Sequence, residues 1–127
     1  MPSTFSELWR QRPQNFSIRL HSQWQVVNNS TNIPLSEPDP EDDEDQFENA
    51  LLIVQQMFAD KMIDERQRDS LKEMIYDEDS VLLCYMKIIA RYNIMKKNST
   101  GKNMRMIETE TNKMINNVLK YLSLIHI

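Results

Sequence analysis

A single glycine, Gly101, serves all 127 residues. Tight hairpin turns need residues that accept positive φ, and glycine is the usual one. A chain this poor in glycine is a weak candidate for a sheet built from hairpins. Helix is the alternative, and the apolar spacing agrees with it. Phe47, Ala50, Leu51, Val54, Met57 and Phe58 recur at helical intervals and line one side of a helix over about 41–61. Asp64-Glu-Arg-Gln67 carries a capping acceptor with Gln three residues on, a capping-box variant that opens a helix over about 65–76. Leu71, Met74 and Ile75 are its inward stripe.

Tyr76-Asp-Glu-Asp-Ser80 interrupts that stripe and supplies fresh caps. The next helix spans about 79–97, with Val81, Leu82, Tyr85, Ile88, Ile89 and Tyr92 covering more than half its circumference. Such a helix sits at the centre of a bundle or is covered by a partner. Residues 96–103 contain the glycine and form a loop. A fourth helix over about 103–121 carries Met104, Ile107, Thr111, Met114, Val118 and Tyr121 at alternating steps of three and four. That spacing is a narrow heptad seam, suited to docking on the bundle or to opening a coiled coil. The fold class is therefore all-α: a small bundle of three to four helices.

The segment before it reads differently. Residues 1–38 form a mostly irregular arm running into an acidic linker, with weak strand alternation at Phe16–Leu20 and Trp24–Val27. Trp9 and Trp24 either pack back on the bundle or anchor a partner, since aromatic side chains dominate binding hot spots. Residues 36–46 are prolines and acids, and Asp39-Pro40 fits an N-cap followed by proline at the first helical position. Calcium is excluded there, because an EF-hand loop needs a central glycine and a terminal Glu.

The helical domain is assigned to 39–121 and the last six residues are set apart. Leu122-Ser-Leu-Ile-His-Ile127 resembles a translation of CTG-TCT-CTT-ATA-CAC-ATC, the mosaic end of transposon sequencing adapters. On that resemblance the native chain is read only to Tyr121 and continues beyond it. The other possibility is a genuine last helical turn, since Ile125 continues the seam.

Catalytic chemistry finds little to stand on. His21 lies in the arm and His126 in the set-apart tail. Cys84 falls within an apolar helix with no second thiol or histidine at a useful spacing. One glycine cannot build a phosphate cradle. The expectation is a non-enzyme with no cofactor, no metal and no small-molecule substrate. A single cysteine and the absence of a signal-peptide pattern suit a reducing, cytoplasmic setting.

Charge is unevenly spread under a net −4. Residues 36–60 hold nine acids and no base. Residues 80–107 hold Lys87, Arg91, Lys96, Lys97, Lys102 and Arg105 and no acid. Either the acidic entry to the first long helix neutralises the basic end of the third, or the bases form an external patch. The leading functional expectation is a non-catalytic protein-interaction or scaffold module, the N-terminal fragment of a longer intracellular helical or coiled-coil protein. It would bind a protein partner, or itself, through Trp9, Trp24, Ile107, Met114, Val118 and Tyr121. The alternative is nucleic-acid or anionic-membrane binding through the basic stretch 87–105.

Overall fold

Three of the four long helices begin where a short polar side chain takes up an orphan backbone N–H. The computed structural model describes residues 4–12, 26–27, 29–31, 33, 35, 39–78, 80–97 and 103–124. Five helices are named here in chain order: α1 (Phe5–Arg10), α2 (Asp43–Ala59), α3 (Glu65–Asp77), α4 (Val81–Lys97) and α5 (Met104–Leu124). The Asp64 carboxylate accepts from Gln67 N, and Asp64 N donates to Gln67 Oε1, both at 2.8 Å. That is the expected capping box. Ser80 Oγ accepts from Leu83 N at 3.3 Å, and Asn103 Oδ1 from Met106 N at 3.0 Å, which starts α4 and α5.

The start of α2 departs from expectation. Asp39-Pro40 is not its cap. Those residues form a turn in which Asp39 Oδ1 accepts from Glu41 N at 2.9 Å and Asp39 O accepts from Asp42 N at 3.0 Å. The helix begins only at Asp43, and its N-cap Asp42 makes no side-chain cap. Gln46 does the work instead. Its side chain is buried, accepts from Asp39 N at 3.0 Å, and donates to Asp39 O at 2.7 Å and Asp42 O at 2.9 Å. One amide therefore pins the entry turn to the first turn of the helix.

The exit from α2 is a Schellman closure. Met62 N donates to Met57 O at 2.9 Å and Lys61 N to Phe58 O at 3.0 Å. Lys61 occupies the left-handed position, at φ 61°. Glycine normally takes this place, because a Cβ crowds the following carbonyl there.

Pairings between side chains give the topology. At one end Phe47 of α2 meets Tyr76 of α3, with ring centroids 5.4 Å apart; at the other, Arg68 of α3 stacks 4.4 Å over Phe58 of α2. These helices are antiparallel. Tyr85, early in α4, lies within hydrogen-bonding reach of the Asn49 side chain, early in α2. So α4 runs parallel to α2. Leu82 and Met86 of α4 share a cluster with Ile115, Val118 and Leu122 of α5, so that pair is antiparallel. The path is up, down, up, down.

Helix α4 is central. Eleven of its seventeen residues are buried, too many for a helix covered on one side, and it packs against α2, α3 and α5. The main apolar cluster joins Ile53, Val54 and Met57 of α2, Leu71 and Ile75 of α3, Ile88, Ile89 and Tyr92 of α4, and Ile107 of α5. Full burial of each aliphatic side chain there contributes about 1.5–3 kcal/mol. A second cluster joins Leu8 and Trp9 of α1 to Leu82, Met86, Ile115, Val118 and Leu122.

The arm is thus not wholly irregular. Thr4 Oγ1 caps α1 by accepting from Glu7 N at 3.2 Å, and Phe5, Leu8 and Trp9 form a short apolar stripe. Residues 26, 27 and 29–31 are helical, where strand alternation was expected over Trp24–Val27. Thr31 Oγ1 donates to Val27 O at 2.7 Å and accepts from Ile33 N at 3.2 Å, and Val27 and Ile33 join the main cluster. The expected alternation at Phe16–Leu20 lies outside the described residues. Leu122, the first of the six set-apart residues, is fully buried, while Ile125–Ile127 lie outside the described residues.

Candidate functional site

The residues expected to meet a partner are mostly spent on the fold itself. Trp9 is fully buried, stacked on Phe5 at 6.3 Å between centroids, with the Arg12 guanidinium 4.2 Å over its ring. It packs back on the bundle and offers no free anchor. Ile107 and Val118 are buried and Met114 half-buried, all turned toward the body of the bundle. Thr111, between them, is buried with its hydroxyl donating to Ile107 O at 2.7 Å. The α5 seam is real, but α4 already occupies it. Trp24 and the Tyr121 side chain lie outside the described residues.

The basic stretch breaks up in the same way. Lys87 pairs with Glu78 at 3.1 Å in a half-buried bridge. Arg91 is only 5 % exposed, and its Nε has no hydrogen-bond partner among the described residues. Burial pushes its pKa down, and the nearby Glu108 carboxylate on α5 pushes it back up. Lys96, Lys97 and Arg105 remain exposed at the junction of α4 and α5, with the Lys96 ammonium 5.8 Å from the Tyr92 ring centroid. Lys102 lies outside the described residues.

The acidic entry of α2 does not neutralise that basic end. Because α2 and α4 are parallel, their starts lie together. Lys96 is eleven residues beyond Tyr85, about 17 Å along the helix. Arg10 of α1 instead pairs with Glu41. The Asp42 carboxyl is pushed above its ordinary value, first by desolvation and then by Asp45 and Asp39. Lys96, Lys97 and Arg105 therefore lie toward the opposite end of the bundle from the acidic start of α2.

One surface feature stands outside the expected site residues. Tyr76 is 65 % exposed although it sits at the end of an amphipathic helix. Phe47 meets its ring at 65° with centroids 5.4 Å apart, an edge-type contact that still leaves Tyr76 65 % exposed. Around it on α3, Glu65, Asp69, Glu73 and Asp77 recur every fourth residue. The signal was present in the sequence. Tyr76 lies one position outside the Leu71–Ile75 stripe and among acids, a poor place for a core aromatic.

Cys84 is buried in the main cluster, and burial pushes its thiol up to about 12, so it is not a thiolate at neutral pH. Burial likewise raises the Tyr85 phenol, against the Asn49 contact that lowers it. Among the described residues no three His, Cys, Asp or Glu side chains come together as metal ligands, and no helix is long and apolar enough to cross a membrane. His21 and His126 lie outside the described residues. No protein-family model matches the chain, and neither curated proteins nor solved structures give a match.

Proposed function

We propose that this chain is a non-catalytic protein-interaction module. The observation that supports it best is Tyr76, a large aromatic left mostly in solvent beside a complete core. Exposed aromatic side chains held in a fixed orientation are characteristic anchors of protein interfaces. The α5 seam is not part of this surface, since α4 covers it.

The test is a photo-crosslinking amino acid placed in turn at three exposed apolar positions: Leu52 on α2, Tyr76 on α3 and Met106 on α5. In an extract of the source cells, a module of this kind gives a discrete adduct that depends on position. No adduct at any of the three positions refutes the proposal. A second reading, binding of nucleic acid or anionic lipid, draws on the exposed Lys96, Lys97 and Arg105. It requires binding that weakens steeply with salt and is lost when all three become Glu.

A further inference from the structure

Helix α3 turns a line of like charge toward solvent. Glu65, Asp69, Glu73 and Asp77 are spaced four apart, so each carboxylate stands over the next. Like charges at this spacing destabilise an isolated helix. Arg68 relieves the first part of the line, reaching Glu65 at 3.5 Å and Asp69 at 3.1 Å. Nothing relieves the second part: among the described residues neither Glu73 nor Asp77 is ion-paired.

The start of α2 reinforces that end. Phe47 touches Tyr76, which brings the first turns of α2, with Glu44 and Glu48, alongside the last turn of α3. Both carboxylates are exposed and neither is ion-paired among the described residues. Two bases belong to the neighbourhood. Lys72 is half-buried on the α2 side of α3, and Arg66 lines a shallow depression with Glu65, Asp69, Ser70 and Glu73. They leave the surface strongly negative.

From this we infer that the α3 face around Tyr76 docks a basic segment of a partner protein, an Arg or Lys side chain lying on the exposed Tyr76 ring with Glu44, Glu48, Glu73 and Asp77 as its charged rim. The occupant follows from complementarity. The ring face is the negative pole of the aromatic quadrupole and attracts a cation. The unrelieved carboxylates select the same sign and speed its arrival. An acidic or purely apolar partner would worsen the repulsion that the surface already carries. The inference rests on the interaction-module reading and narrows it to one face and one partner chemistry.

The probe is a dodecapeptide of three Arg-Ala-Leu-Lys repeats, with a control in which Gln replaces every base. Binding is followed by amide chemical shifts of the full chain at 50 and 300 mM NaCl. The expected result is shifts confined to residues 43–48 and 69–78, with no response to the control peptide. Tyr76→Ala and the double change Glu73→Lys, Asp77→Lys should each weaken binding at least tenfold, and Tyr76→Phe should restore it. Shifts scattered over all acidic surfaces, no binding at 50 mM NaCl, or an affinity unchanged in Tyr76→Ala would each overturn the inference. So would self-association of the chain alone through this face, which would make a second copy the occupant. Crosslinks at Leu52 or Met106 with none at Tyr76 would remove this face and leave the module reading standing. Silence at all three positions removes both.

Discussion

Replacing Arg91 with Met should make the protein more stable. Arg91 is 5 % exposed in the middle of α4, its Nε has no hydrogen-bond partner, and it takes part in no ion pair among the described residues. Removing an ion from water costs several kcal/mol even after relaxation. The compensation is small. Glu108 is the acid that favours its charge, but Glu108 is exposed and water screens it. At 4 Å in water two unit charges attract by only about 1 kcal/mol, and this pair is not that close. Methionine keeps most of the apolar stem and deletes the charge. The balance favours Arg91→Met by about 1–3 kcal/mol, the range seen when buried ions give way to apolar side chains. Urea unfolding followed by helical circular dichroism reads this directly. For a domain of this size each kcal/mol moves Tm by about 3–5 °C. Glu108→Gln should cost less than about 1 kcal/mol in the parent and nothing in Arg91→Met. Destabilisation by Arg91→Met of more than about 1 kcal/mol would refute the reasoning, because the guanidinium would then be making contacts that outweigh its burial.

Three further expectations follow from particular residues. Lys61→Gly should stabilise by about 1 kcal/mol, the relief of a Cβ in the left-handed position, measurable as a higher urea midpoint at unchanged slope. Leu122→Ala empties a fully buried site in the cluster that holds Trp9 and should cost about 2–4 kcal/mol, with tryptophan emission shifting to the red; no change in either would place Leu122 outside the core. Asp42→Asn should raise Tm at pH 7 and leave it unchanged at pH 3. The folded chain holds this carboxyl above its ordinary 3.8, so its ionised form is disfavoured by folding. That penalty is present above the raised value and vanishes below 3.8, and a pH-independent effect would rule out its electrostatic origin.

The long helices were legible because their signals are local. Phe47 to Phe58 repeat at helical spacing, Asp64 and Gln67 cap within one turn, and α4 is apolar around most of its girth, which left it either central or covered by a partner. What escaped depends on neighbours distant in sequence. The stripe of α1 is only Phe5, Leu8 and Trp9, too short to stand out until Leu82 and Leu122 cover it. Gln46 reads as an ordinary helical glutamine, and its buried role exists only because the chain folds back at Asp39. Charge misled most. Lys87 and Arg91 were grouped with surface bases by sign, yet Arg91 falls three residues after Ile88 and seven after Cys84, on a buried stripe. Sign gives partner chemistry only after burial is known. The parallel pairing of α2 with α4 is likewise set by packing and not by any short motif, so the distance between the acidic entry of α2 and Lys96 and Lys97 was invisible until the helices were placed.

The second cluster, with Trp9 and Leu122 among its members, joins the two ends of the described chain. Closing a loop of over a hundred residues carries an entropic cost that local helix pairing does not. Helices α2, α3 and α4 follow one another through short connections and can form the main cluster early, at low contact order. The second cluster must come last and open first. Its amides should then exchange with solvent through a sub-global opening that leaves Ile53, Ile88 and Tyr92 protected. A single latch, with one indole at its centre, would set the most frequent large motion of this molecule.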